Sequence, residues 1–451
     1  DPEMSRGLGD VYKRQNSSNR YELAQLSYVY RVNYSYDNRY LIELNGRYDG
    51  TSRFMKDQRW NFFPSFSLGW NVARENFWKP LESVVNQFKL RGSWGELGNQ
   101  NTSNLYPFYE ILPVKSNSGN WLVNGGKTNT ADIPSLVSTL LTWERVRSFN
   151  VGFDFGAFSN RLTGSFDYFV RKTVDMVGPA PQLPLVLGIA PAIVNNADMK
   201  SYGFEIELSW RDRIGEVDYG VKFNLADAQQ KVVKYPNTTN AFSDWYAGKM
   251  SGEIWGYTSL GIAKTDEEMK EHLASLPNGG QNQLGNKWGA GDIMYADING
   301  DGKVDGGKGT LADPGDQRII GNSTPRYNFG LVLDASYKGF DVSIFFQGVG
   351  KRDYAPIVGT NGAVFWGAVN NIWQSMAMEE HFDYFRPEGH PMGANLNGYY
   401  PRPDFTSNKN HQVQTRYLQD ASYIRLKNLQ IGYTLPKQWI NKLHINRCRV
   451  Y

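Results

Sequence analysis

Apolar and polar side chains alternate with a period of two through segment after segment of this 451-residue chain, the pattern of a pleated strand with two unlike faces. Between Arg39 and Tyr48, Tyr40, Ile42, Leu44 and Tyr48 share one parity, and Glu43, Asn45 and Arg47 share the other. Phe149, Val151, Phe153 and Phe155 oppose Ser148, Asn150, Gly152 and Asp154. Leu162, Phe166, Tyr168 and Val170 oppose Thr163, Ser165 and Asp167. The same division sets Tyr202, Phe204, Ile206, Leu208 and Trp210 against Gly203, Glu205, Glu207 and Ser209. It recurs with Val221, Phe223 and Leu225 against Lys222 and Asn224, and with Phe340, Val342 and Ile344 against Asp341 and Ser343. The phase slips once, where Ile424 and Leu426 give way to Leu429, Ile431 and Tyr433, and a bulge near Asn428 is expected there. With 27 Tyr, 24 Phe and 13 Trp, the composition favours strands over helices.

The connections narrow the choice of all-β fold. Short joints (Asp37-Asn38, Ala73 to Asn86, Phe158 to Arg161, Arg211 to Glu216, Lys338-Gly339, Leu435 to Ile445) alternate with long ones, of which 97–145, 227–326 and 350–421 are the longest. Every long loop therefore leaves the same side of the sheet, as in outer-membrane barrels with short periplasmic turns and long exterior loops. A soluble sandwich has no reason to keep that asymmetry, although its strands also alternate. The expected fold is an all-β, antiparallel transmembrane β-barrel wall over 16–451. Eleven full strands and the start of a twelfth amount to about half of a ~22-stranded barrel. Residues 1–15 lack strand period and are read as a non-native tail, and the chain reads as cut at both ends.

Other classes receive little support. The net charge of +3 gives no electrostatic case for nucleic acid. One cysteine, Cys448, excludes an internal disulfide framework. No run approaches the ~20 apolar residues of a transmembrane helix, and the mean hydropathy is -0.52, but barrel strands conceal their hydrophobicity by alternating it. The five histidines are scattered without metal-ligand spacing. Glu205 and Glu207 lie two apart on one strand face, whereas glycoside hydrolysis needs two acids flanking a cleft. No enzymatic activity is expected.

Several strings resemble the SusC/RagA-like subgroup of TonB-dependent outer-membrane receptors of Bacteroidota. They include Arg47-Tyr48-Asp49-Gly50-Thr51-Ser52-Arg53-Phe54, Phe62-Phe63-Pro64-Ser65, and Lys89-Leu90-Arg91-Gly92-Ser93-Trp94-Gly95. Trp143-Glu144, Asn299-Gly300-Asp301-Gly302, Tyr337-Lys338-Gly339-Phe340-Asp341 and Tyr423-Ile424-Arg425-Leu426-Lys427-Asn428 follow in the order this family shows. The resemblance implies a plugged barrel energised by TonB, working with a SusD-like surface lipoprotein to import oligosaccharide. A peptide or siderophore receptor on the same barrel is the alternative, and a soluble calcium-dependent glycan-binding β-protein is the reading from another class. The plug and the TonB-contacting segment are expected to lie outside this sequence.

Three sets of residues are candidates for function. Asp297, Asn299, Asp301, Lys303 (through its carbonyl) and Asp305 fall at positions 1, 3, 5, 7 and 9 of a calcium loop, with Gly302 at the turn. Position 12 is Lys308 where an acid belongs, so Asp316 is the candidate closing ligand and Asp313 the second choice. Calcium there would be structural; an Asx-rich turn without metal is the alternative. The loop aromatics Tyr106, Phe108, Tyr109, Trp121, Trp245, Tyr246, Trp366 and Trp373 suit glycan stacking, partner contact or simple loop packing. Asp154, Asp167, Glu205, Glu207, Lys222 and Asp341 are expected to face a wet lumen.

Overall fold

The computed structural model describes residues 22–100, 102, 105–134, 136–180, 186, 188–189, 191–356, 378–404, 409–440 and 445–451. The stretch 1–15, Trp366 and Trp373 lie outside them. Twelve strands make one antiparallel sheet in which each wall strand pairs with its neighbours along the chain. They are β1 (Gln25–Tyr36), β2 (Tyr40–Thr51), β3 (Trp60–Asn71), β4 (Val85–Asn99), β5 (Glu144–Ala157) and β6 (Leu162–Val177). The second half comprises β7 (Asn195–Ile214), β8 (Val217–Lys234), β9 (Arg326–Tyr337), β10 (Phe340–Lys351), β11 (Tyr423–Thr434) and β12 (Arg449–Val450). Short joints and long loops alternate along this order, so all long loops emerge at one end, as expected.

Turn chemistry closes the short joints. Lys338 and Gly339 form a two-residue turn with φ of 45° and 90°, the mirror-image geometry whose twist matches the flanking strands. Asp37 and Asn38 take φ of 52° and 48° at the β1–β2 turn, a conformation that short polar side chains tolerate. The expected bulge sits at Lys427: Phe345 pairs with Asn428 and Phe346 with Leu426, which leaves Lys427 unopposed.

Register carries the apolar parity from strand to strand. Tyr40 opposes Trp70, Ile42 opposes Leu68 and Leu44 opposes Phe66; Trp94 opposes Phe149 and Leu90 opposes Phe153. These side chains share the sheet's convex face, where Trp70, Trp94 and Phe153 are half-buried and Leu68 is 53% accessible; Ile431 on β11 is 64% accessible. A contiguous apolar face of this extent is unstable in water and belongs against lipid. Aromatic pairs gather at the short-turn end: Tyr40–Trp70, Phe158–Trp210 and Phe340–Tyr433 lie within 6.5 Å centroid to centroid. Amphipathic rings concentrate at such a membrane boundary.

The buried cores lie at the long-loop end. Tyr257, Leu276, Ile293, Tyr295, Val304, Tyr400 and Tyr417 form one cluster, drawn from the loops that follow β8 and β10. Helix α1 (Asp266–Ala274) belongs to this body; Thr265 caps it by accepting the Glu268 N–H, and Asp266, Glu267 and Glu268 place acids at its positive end. A second cluster joins Phe54, Phe63, Leu141 and Trp143.

Candidate functional site

The parity that hides the apolar side chains places polar ones on the concave face. Asp154, Asp167, Glu205, Glu207, Lys222 and Asp341 all fall on it. Asp167 stands in register between Gly152 and Glu205, Glu207 between Ser165 and Asn224, and Lys222 between Ser209 and Val332. Arg91, one residue from the apolar Leu90, joins two of the acids: its guanidinium donates to Asp154 Oδ1 at 2.8 Å and to Asp167 Oδ2 at 2.9 Å. Asp341 accepts from Arg449 Nε at 2.9 Å. One hollow of this wall is lined by Glu43, Ser67, Lys89, Arg91, Ser93, Asn150 and Asp167, and another by Asp154, Ser165, Glu207, Lys222 and Asn224. Such a surface offers donors and acceptors of both charges to a hydrated solute. Glu205 and Glu207 sit within the wall and do not flank a cleft.

The two longest described loops unite above this wall. Asp292, with no exposure, accepts from Lys409 Nζ at 2.8 Å, from Arg402 at 2.9 and 2.7 Å and from Asn410 Nδ2 at 2.9 Å. Asn410 also accepts the Ile293 N–H, and the Tyr295 hydroxyl donates to the Lys409 carbonyl at 2.7 Å. A buried carboxylate holds only with such compensation. Burial pushes the phenols of Tyr295 and Tyr417 well up and that of Tyr400 to about 12. These groups stay neutral inside the packed loop body. The sequence reading treated the loops separately and did not single out Asp292, Arg402, Lys409 or Asn410.

The candidate aromatics divide between packing and exposure. Tyr106 donates to the Glu22 carbonyl at 2.6 Å and lies beside Tyr109, which also packs on Phe108. Trp245 packs edge-on against Tyr235 at 6.0 Å. Tyr246 donates to Glu253 at 2.6 Å; burial, foremost, and that carboxylate hold its phenol far above the ordinary range. Trp121 is 58% exposed, and Tyr109, though in contact with Phe108 and Tyr106, is 62% exposed.

The Asp297 loop closes on itself. Asp297 accepts the N–H groups of Gly300 at 2.6 Å and Gly302 at 2.8 Å, and Asn299 accepts that of Asp301 at 3.0 Å. Gly300 and Gly302 take φ of +77° and +80°, which the tight path requires. Asp316, fully buried, receives the N–H groups of Ile298, Asn299 and Asp305. Lys303 Nζ lies 2.5 Å from Asp305 and 3.8 Å from Asp301, so an ammonium stands among the oxygens proposed for an ion. Among the described residues no three His, Cys, Asp or Glu side chains are gathered closely enough to hold a metal. The loop is held by Asx-type hydrogen bonds, with the Lys303 ammonium beside Asp305.

The family model for the TonB-dependent receptor-like β-barrel matches residues 4–450. TonB-dependent receptor P3 of Formosa agariphila is 29% identical over 98% of this chain and 42% of its own length. TonB-dependent receptor SusC of Bacteroides thetaiotaomicron is 25% identical over 92% of this chain and 38% of its own. The chain thus spans about two-fifths of the curated relatives it matches. In fold it is similar to a chain of the RagAB peptide transporter, with a TM-score of 0.71 at 21% identity over 97% of this chain and 45% of that one. A barrel match over this length sets aside the reading as a soluble glycan-binding β-protein.

Proposed function

This chain belongs to the TonB-dependent receptor-like β-barrel family, in its SusC/RagA-like branch in the outer membrane, and from that premise we propose that it builds the wall and exterior loops of an oligosaccharide importer. The importer is energised through TonB and works with a SusD-like lipoprotein seated on the loop body. The observation that carries this reading is the knitting of two long loops into one packed body, through Asp292 and Lys409, at the long-loop end of a polar concave wall. Loops already packed and ion-paired to one another present a docking surface at a lower ordering cost than separate loops would. The wall's hydroxyls, amides and paired charges exchange hydrogen bonds with a hydrated sugar as readily as water does, and the exposed ring of Trp121 suits stacking on sugar faces. Import of this kind is binding and gating, with no covalent step on the cargo.

A peptide is the second reading, favoured by the mixed charge of Arg91, Asp154 and Asp167, which also suits a peptide's amides and side chains. A siderophore on the same barrel is the third. We further propose a structural calcium ion held by Asp297, Asn299, Asp301, the Lys303 carbonyl, Asp305 and Asp316, with the Lys303 ammonium moved aside.

The test is calorimetry on the full-length receptor, expressed with its neighbouring gene and extracted from outer membrane. Co-purification of a SusD-like lipoprotein and saturable binding of one oligosaccharide class support the reading. Saturable binding of peptides but of no sugar moves the cargo to the second reading, and a receptor that purifies alone and ignores both overturns the first two.

A further inference from the structure

Four basic residues stand in direct cross-strand register on the convex face of the wall. Arg147 on β5 opposes Lys172 on β6, Lys172 opposes Lys200 on β7, and Lys200 opposes Lys231 on β8. Like charges placed directly opposite one another oppose sheet formation. The local acids offset only one end of the row: Arg147 bonds to Glu96, and Asp198, which also accepts the Asp175 N–H, approaches Lys172 at 3.7 Å. Lys200 has the ring of Tyr202 beneath it at 5.4 Å. Among the described residues neither Lys200 nor Lys231 has a carboxylate partner.

The row marks a boundary. One pleat nearer the short-turn end, the same face carries Phe149, Val170 and Tyr202, with Gln229 at the β8 position. On β6 the outward positions are apolar from Leu162 to Val170, and Lys172 comes next. At ~3.3 Å per residue Lys172 lies ~33 Å along the strand from Leu162, or about 25 Å of height at a tilt of ~40°. That equals the height of a barrel's apolar band, so Lys172 stands where lipid headgroups begin, on the long-loop side, and at the same tilt its registered neighbours lie ~3 Å higher or lower per strand.

We propose that Lys172, Lys200 and Lys231 bind the phosphate groups of an anionic lipid in the outer leaflet, with Arg147 extending the row. The lipid's acyl chains lie along the Phe149–Val170–Tyr202 surface while its phosphates relieve the repulsion between neighbouring lysines. Lys172 and Lys200 lie within the wall between paired strands, and only Lys231 also bridges to Met250 of an exterior loop, which favours a lipid over a protein partner. Headgroup phosphates attract clustered lysines at such a surface, and the attraction is screened by salt.

The experiment uses full-length receptor in mild detergent. Wild type is compared with the triple variant Lys172→Gln, Lys200→Gln, Lys231→Gln and with Lys338→Gln at the opposite end. Lipid phosphorus retained per barrel after gel filtration is expected to fall about threefold in the triple variant and to stay unchanged in Lys338→Gln. In phosphatidylcholine vesicles, adding a diphosphorylated glycolipid is expected to raise the unfolding temperature of wild type but not of the triple variant, and inorganic phosphate is expected to do neither. Equal lipid retention in wild type and triple variant overturns the proposal. So does stabilisation by inorganic phosphate alone, or a loss of the lipoprotein partner with lipid retained. Should the triple variant fail to assemble, Lys200→Gln, Lys231→Gln and the charge-conserving Lys200→Arg give the same readout singly, and Lys200→Arg must retain lipid.

Discussion

Lys409 Nζ lies 2.8 Å from Asp292 Oδ2 across 117 residues of chain, and both side chains are shut away from solvent. Arg402 approaches the same carboxylate, so two cations share this one buried anion, with Asp404 3.8 Å from Lys409 Nζ as a second, more distant carboxylate. Removing the anion is worse than removing either cation, because an uncompensated buried charge remains. Asp292→Ala is expected to destabilise the loop body by ~3–5 kcal/mol, and Lys409→Met by less, since Arg402 keeps Asp292 paired. Limited proteolysis of intact outer membranes reads this directly. Cleavage should rise in 235–325 and 378–420 while the barrel keeps its heat-modifiable migration. Loss of the folded barrel band together with the loops would contradict a separable loop body.

His411 gives the same body a pH dependence. Burial pushes its imidazole down to about 4, from ~6.5 in an unfolded chain. The unfolded state therefore takes up the proton first, so the stability contributed by neutral His411 is present above pH ~6.5 and lost progressively toward pH 4. The slope approaches ~1.4 kcal/mol per pH unit inside that window and vanishes below it. Protease resistance of the loops between pH 7 and 4.5 should fall in wild type and flatten in His411→Leu. An unchanged profile in that variant would assign the acid sensitivity elsewhere.

The wall was legible from sequence because side-chain parity is a property of the strand backbone. Tyr40, Ile42 and Leu44 announce their face without reference to any partner, and the phase slip before Leu429 located the bulge within one residue. Parity also put Asp167 and Glu207 on the polar face. It does not reveal who neighbours whom. The meeting of Arg91 with Asp154 and Asp167, and the alignment of Lys172 with Lys200, depend on register, which turns and loops set jointly. The loop body was illegible for a deeper reason. Asp292 and Lys409 belong to irregular segments without period, and nothing local distinguishes a lysine destined for burial from a solvated one.

Trp143 fills the second cluster. It is 2% exposed, its ring centroid lies 5.7 Å from that of Phe54 and 5.4 Å from that of Phe63, and its indole N–H donates to the Arg59 carbonyl at 2.8 Å. It thereby ties the β2–β3 loop to the start of β5. Trp143→Ala is expected to cost ~3–5 kcal/mol through the cavity and the orphaned carbonyl. Trp143→Phe should cost less, as it keeps most of the ring contact. The temperature at which the barrel loses its compact gel mobility should fall in that order. Indistinguishable variants would mean that the cluster is not what holds the loop.

The Asp297 loop offers a contest between two cations. Lys303 forms the innermost pair with Asp305, whose hydrogen bond raises the ammonium's affinity for its proton and lowers that of the carboxylate. A calcium ion must displace that ammonium, which weakens binding; removing the ammonium must strengthen it. Exterior calcium modules bind at roughly 10⁻⁴–10⁻³ M, so about 1 mM calcium is the relevant test. Calcium is expected to protect 290–320 from protease relative to chelator, Lys303→Gln to reach the same protection at lower calcium, and Asp301→Ala to abolish it. Because the Asp297 carboxylate and the Asn299 side-chain oxygen already accept backbone N–H groups within the turn, chelator should loosen the segment without unfolding it. Identical digestion with calcium and with chelator, in wild type and in Lys303→Gln alike, would leave the Asx staple as the loop's whole role.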